Sequence, residues 1–287
     1  AWDLITTGRE SASLARDVRS NIKTCLQAID RLVTDWSYST KSGKFQKTNA
    51  ANWLISDEVG SMVILDGTAA QDLTYTLFPK RVEVKSNKAL RNLENATLHS
   101  KRTNANLGKS GFSDASIRVA RAIELYEWLK TNLDPDRRVL VVSHQNLETV
   151  LMDLSIADPH FQQFDTTHWG ATTGENRWSD FDTVVIASCF YRPREWAANA
   201  ICSQPGLAEG LEHLNHREKT SLVESMVNSK VAVEMIQAFY RCCIRRVIDV
   251  EGRCHKADLF VLLPSDERGD QIEEMILAEL PNVKVSD

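Results

Sequence analysis

The opening segment repeats its hydrophobic positions at helical spacing. Val18, Ile22, Cys25, Ile29, Leu32 and Trp36 follow one another at steps of four, three, four, three and four, with Ser11 and Ser13 as candidate N-caps. The pattern predicts an amphipathic helix over residues 9–36 that buries this stripe. Ser37–Asn52 is polar and basic and reads as a loop. The texture then changes. Met62–Leu65 is a continuous apolar run of the kind found in buried parallel strands, followed by Asp66-Gly67-Thr68-Ala69. Arg81–Val84 and Ala96–His99 are further candidate strands.

Downstream, strand-like and helix-like segments alternate. Asp114–Leu133 predicts a helix with Val119, Ala122, Leu125, Leu129 and Leu133 inward. Arg138–Ser143 (RVLVVS) predicts a strand, Asn146–Ser155 a helix, Phe164–Trp169 a short strand and Thr183–Ser188 (TVVIAS) another. A long helix is expected from about Lys219 to Val247, then a strand at Leu259–Leu263 and a helix at Gln271–Leu280. Near-continuous apolar strands alternating with helices imply an α/β fold with a parallel sheet covered on both faces, preceded by an α-helical segment. Ligands of such sheets bind beyond the carboxyl ends of the strands, so the loops starting at Asp66, Ser143, Trp169 and Ser188 are the ones to inspect.

Composition narrows the classes. Twelve glycines and seven prolines among 287 residues are too few for a turn-rich β sandwich or a collagen-like chain. With 43% hydrophobic residues the chain can bury a core, and a net charge of −5 excludes a highly basic nucleic-acid coat protein. No apolar run reaches membrane-span length, and no signal peptide opens the chain. The six cysteines form no CxxC and no Cys/His ligand spacing, so no metal site is expected and a reducing, cytoplasmic setting fits. The first residue, Ala1, suggests a chain that begins inside a longer protein.

Four segments carry candidate chemistry. Leu107-Gly108-Lys109-Ser110-Gly111 imitates a phosphate-binding loop, but position 103 is threonine and no apolar strand leads into it, so it reads as an ordinary loop. His168–Trp178 places Gly170 and Gly174, Thr172 and Thr173, and Asn176 after one strand, with Asp180 and Asp182 leading into the next. Glycines there permit close backbone approach to a phosphate. Gln237, Arg241 and Arg245 fall at i, i+4 and i+8 within apolar sequence, one polar stripe of a continuous helix, and guanidiniums so placed suit a polyphosphate. Lys80–Lys109 carries eight basic against two acidic side chains, which suits either a nucleic-acid track or a solvated face.

In chain order these segments resemble the C-terminal half of a superfamily-two helicase or translocase. Met62–Ala69 resembles motif III, Arg138–Gln145 motif IV, His168–Val185 motif V and Gln237–Arg246 motif VI, over roughly residues 60–265. The resemblance implies a RecA-like second lobe over residues 95–287, the end of a first lobe and a linker over 59–94, and a helical segment over 1–58. It implies Arg241 as the main arginine finger, Arg245 as a second and Gln237 as ordering the site. Gly174, Asn176 and Asp182 would link ATP to a nucleic-acid strand, and Thr68, Ser143, His144 and Thr173 would touch its backbone. Tyr240 replaces the usual glycine before the first finger, and Arg245 stands eight rather than seven residues after Gln237. Walker A and DExx segments are missing from the chain. ATP and Mg²⁺ are therefore expected only with a complementary first lobe, DNA is preferred to RNA as the partner, and no membrane is involved. The alternative is a non-catalytic RecA-like module that binds nucleic acid or protein.

Overall fold

The computed structural model describes residues 9–34, 36–42, 45–51, 59–77, 82–85, 91–172, 174–202 and 216–286. It divides into two compact units, residues 1–65 with 198–219, and residues 66–197 with 220–287.

In the first unit, helix α1 spans Arg9–Thr34. Strands β1 (Trp36–Ser42) and β2 (Phe45–Ala51) pair antiparallel, from Trp36 opposite Ala51 to Ser42 opposite Phe45. Residues 37–42 and 45–51, expected to be a loop, are thus paired strands. Trp36, Tyr38 and Thr40 place β-formers at every second position, a signal masked by the polar residues between them. The α1 stripe was expected to be buried and is not: Val18, Ile22, Cys25 and Ile29 are exposed. The run Met62–Leu65 is no strand either. Its backbone joins no ladder and its four side chains are exposed. Apolar composition makes a strand only where another strand stands beside it to take its N–H and C=O groups.

In the second unit a six-stranded sheet is parallel throughout. It comprises β3 (Ala96–Thr103), β4 (Arg138–Ser143), β5 (Gln163–His168), β6 (Thr183–Ile186), β7 (Ala257–Pro264) and β8 (Lys284–Ser286), in the spatial order β5-β4-β6-β7-β3-β8. Val82–Val84 carries no strand, and Arg81 lies outside the described residues. Helices α2 (Ala115–Asn132) and α3 (Gln145–Ala157) cover one face, where Tyr126, Leu129, Leu147 and Leu151 pack on Val139, Val141 and Val185. After α4 (Arg194–Cys202), helices α5 (His216–Phe239) and α6 (Glu267–Ala278) cover the other, with Val231, Met235, Ile236, Ile272 and Ile276 against Leu98, Leu140, Val184, Leu259 and Val261. Helices on both faces of a parallel sheet make this the α/β, RecA-like architecture expected.

Local chemistry sets the element ends. Asp114 caps α2 by accepting from the N–H groups of Ser116 and Ile117 at 2.8 and 3.1 Å. The buried stripe of α2 is Ala122, Tyr126 and Leu129, with Leu125 and Leu133 partly buried beside it, so the expected face packs inward except at Val119, which stays exposed. Helix α5 stops at Phe239 rather than near Val247. Its last turn tightens as Arg241 N–H bonds the Ala238 carbonyl, Cys242 is extended, and Cys243 N–H turns away to the carbonyl of Phe181. Cys242, Cys243 and Ile244 are all buried, so the chain leaves the helix to fill the core with each of them.

Candidate functional site

The loop from β5 to β6 starts at the carboxyl end of one strand and finishes at the amino end of its neighbour's neighbour. Gly170 (φ +93°) and Gly174 (φ +80°) adopt the left-handed conformation that makes its bends possible. Two tryptophans anchor it. Trp169 donates Nε1–H to Ser188 Oγ at 2.9 Å, and Trp178, fully buried, donates to Asp165 Oδ2 at 2.7 Å. Thr172 is buried, Gly174 and Asn176 are exposed, and Thr173 lies outside the described residues.

The turn after α5 meets this loop at the amino end of the sheet. Arg241 Nη1 donates to the carbonyl of Glu175 at 3.3 Å, and Arg245 Nη1 donates to Asn176 Oδ1 at 2.5 Å. The two arginines do not form the stripe of one helix: Arg241 sits in a turn and Arg245 in a 3₁₀ turn spanning Cys243–Arg245. They nevertheless converge on adjacent residues. Among the described residues neither guanidinium has a carboxylate within 4.0 Å, and Arg241 Nε is buried without a hydrogen-bond partner. Burial, then repulsion from Arg245, holds the Arg241 guanidinium below its ordinary pKa against the pull of Glu175.

A second arm reaches the same turn. Asp66 Oδ1 accepts from Thr68 N–H at 2.9 Å and Thr68 Oγ1–H at 2.8 Å, and Asp66 Oδ2 accepts from Tyr75 OH at 2.9 Å. Burial works to raise the Asp66 carboxyl, but the bonds from Thr68 and Tyr75 and the charge of Lys230 outweigh it and hold the pKa below the usual carboxylate range. Gln237, in the last turn of α5, donates Nε2–H to Thr68 Oγ1 at 3.3 Å. The arm is clasped to α5 by Lys230–Asp72 at 3.2 Å and by Ser229, whose hydroxyl donates to the Gln71 carbonyl and accepts from Leu73 N–H. Glu175, Asp72, Tyr75 and Lys230 thus shape the site without having been singled out, whereas Asp66 opens one of the loops marked for inspection. Only Asp66 left a sequence signal, an aspartate two residues before a threonine, the makings of an Asx turn.

The remaining expected residues lie elsewhere. Asp182 sits at the amino end of β6, 3.5 Å from Arg137, in a network that continues through Asp258 to His99. Ser143 and His144, at the carboxyl end of β4, are turned inward: Ser143 is fully buried, and His144 Nε2 lies 3.2 Å from the carbonyl of Cys189. Burial is the main influence on His144 and lowers its pKa, against the raising effect of its bonds to the Cys189 and Leu107 carbonyls. Thr68, by contrast, lies in the Asp66–Tyr75 arm beside the arginine turn, but it is buried with its hydroxyl occupied by Asp66 and Gln237. The Leu107–Gly111 segment is a closed loop in which Arg121 Nη1 donates to the carbonyls of Asn106 and Gly111.

Among the described residues no group of three His, Cys, Asp or Glu side chains could hold a metal ion, and no helix is long and apolar enough to cross a membrane. No protein-family model, curated protein or solved structure matches the chain.

Proposed function

We propose that this chain supplies the arginine-bearing lobe of an ATP-dependent nucleic-acid helicase or translocase. The observation that carries the reading is the pair Arg241 and Arg245. Two neighbouring guanidiniums converge on one loop with no carboxylate within 4.0 Å among the described residues, and one keeps a buried N–H donor unpaired. A buried donor left without an acceptor costs about 1–3 kcal/mol, and a polyanion removes that cost while neutralising both charges. The order of the four helicase-like segments selects a nucleoside triphosphate as that polyanion.

When bound, ATP with Mg²⁺ contributes the transferable phosphoryl group. Arg241 and Arg245 stabilise charge that builds on the phosphoryl oxygens, as charge-stabilising arginines do in such enzymes. Gln237, tethered to Thr68, holds the Arg241 turn in register with the Asp66–Tyr75 arm. Asn176 and Gly174 occupy one end of a loop whose other end emerges at His168, so a shift at the arginines has a covalent path to the carboxyl edge of the sheet. The phosphate-cradling lysine and the Mg²⁺ ligands come from a complementary first lobe.

The test is ATP turnover by the native assembly that contains this chain, with and without single-stranded DNA. DNA-stimulated hydrolysis supports the reading. Tight DNA binding without any hydrolysis overturns it in favour of a non-catalytic module.

A further inference from the structure

A cavity of about 370 Å³ opens on the face of the sheet opposite the arginine turn, beside α2 and over β3, β7 and β6. Its walls are aromatic. His99 and Phe260, opposite one another in the β3–β7 register, stack with ring centroids 4.3 Å apart, and Trp128 meets Phe260 edge-on at 5.5 Å. Two cations stand over rings of the same cavity: Lys101 Nζ is 6.0 Å from the Trp128 ring, and Arg121 Cζ is 5.1 Å from the Phe112 ring. Among the described residues, neither Lys101 nor Arg121 has a carboxylate within 4.0 Å, although Glu124 contributes to the lining.

We infer that this cavity binds an unpaired base of single-stranded nucleic acid. The inference rests on the proposed reading only for nucleic acid as the partner. An apolar slot on a sheet alone fits many occupants, and charge complementarity makes the choice. A nucleotide unit is a planar π system joined to a permanent anion, and the cavity pairs the half-buried rings of His99, Trp128 and Phe260 with two cations that have no carboxylate within 4.0 Å among the described residues. Sequence-independent strand binding uses this combination, with aromatic faces for bases and a cationic border for the backbone. Trp128 stacks the base beside the edge-on Phe260, and Lys101, whose side chain is exposed, takes the adjoining phosphate. Arg121 is held by its two loop carbonyls through Nη1, which fixes the direction of its remaining donors. The cavity opens onto neither Arg241 nor Gln237, so this contact is separate from any made through the nucleotide-facing loop.

The experiment is fluorescence anisotropy of a labelled oligothymidylate of about 15 nucleotides against the full chain. It contains neither ATP nor a first lobe, so its outcome does not depend on whether Arg241 completes an ATPase. The expected result is salt-sensitive binding that weakens about tenfold or more in Lys101→Glu and in Trp128→Leu and persists in Lys101→Arg. Circular dichroism checks that each variant is folded, and the exposed Lys101 position keeps the test valid if Trp128→Leu is not. Three outcomes overturn the inference: no binding by the unaltered chain, binding unaffected by both substitutions, or equally tight binding of a duplex. Competition by thymidine monophosphate at concentrations equal to the oligomer also overturns it, since the cavity would then select a free nucleotide.

Discussion

Replacing Lys230 by methionine removes one cation while keeping most of the side chain's packing volume. Lys230 Nζ lies 3.2 Å from Asp72 Oδ2, with the two side chains 21% and 9% exposed. At such separations an ion pair is worth about 4 kcal/mol in an effective dielectric near 20. Breaking a fully buried pair costs about 3–5 kcal/mol, because the surviving charge loses its partner. Two features reduce the figure here. A fifth of Lys230 is exposed, and Asp72 keeps a bond from Thr74 N–H at 3.0 Å. The expected loss is about 2–4 kcal/mol. The assay is urea unfolding followed by far-ultraviolet circular dichroism, compared at constant slope. Adding Asp72→Asn to Lys230→Met removes the stranded carboxylate and recovers at least about 1 kcal/mol. A loss below about 0.5 kcal/mol for Lys230→Met, or simple additivity in the double variant, refutes the clasp.

Further outcomes follow from other contacts. Trp178→Phe deletes the indole donor to Asp165 at 2.7 Å and is expected to lower stability by about 1.5–3 kcal/mol, read from the same urea curves. Gly111→Ala puts a Cβ 2.0 Å from the Asn106 carbonyl oxygen, so the loop must move; thermal unfolding should show a loss of about 1–3 kcal/mol, and an unchanged midpoint contradicts the packing. His144 has a pKa lowered first by burial, so the unfolded chain takes up a proton that the folded chain resists. Its contribution to stability is complete above the unfolded value of about 6.5 and is lost as pH falls through the lower folded value. His144→Gln is expected to flatten that part of the stability–pH curve, and an unaltered slope rules His144 out as its source.

The central sheet was legible because β4, β6 and β7 are apolar enough to be buried on both faces, and their boundaries fell within two residues of those expected. Periodicity was a poorer guide where a partner decides the outcome. Met62–Leu65 has the composition of a buried strand but pairs with no strand among the described residues, while residues 36–42 and 45–51 pair as strands through alternation hidden in polar sequence. The two arginines come together in a way different from the one the spacing suggested. A helix continued to Val247 would put Gln237, Arg241 and Arg245 in one row. The chain instead leaves α5 at Phe239, and a turn and a 3₁₀ turn bring the two arginines to Glu175 and Asn176. What no pattern revealed was the clasp from Asp66 to Tyr75, because Asp72–Lys230 and Thr68–Gln237 join residues 158 and 169 positions apart.

Arg241 is the residue on which the proposed ATPase role depends. The most direct measurement is nucleic-acid-stimulated ATP turnover by the native assembly carrying Arg241→Ala, beside the unaltered protein and Arg241→Lys. A stabilising arginine of this kind is worth about 10³–10⁵ in turnover, so Arg241→Ala should lose at least about 10³-fold. Lysine keeps the charge but not the forked donors and should not restore the rate. DNA affinity should stay within a few-fold of the unaltered assembly. Undiminished turnover in Arg241→Ala would contradict the claim that this guanidinium meets the phosphates.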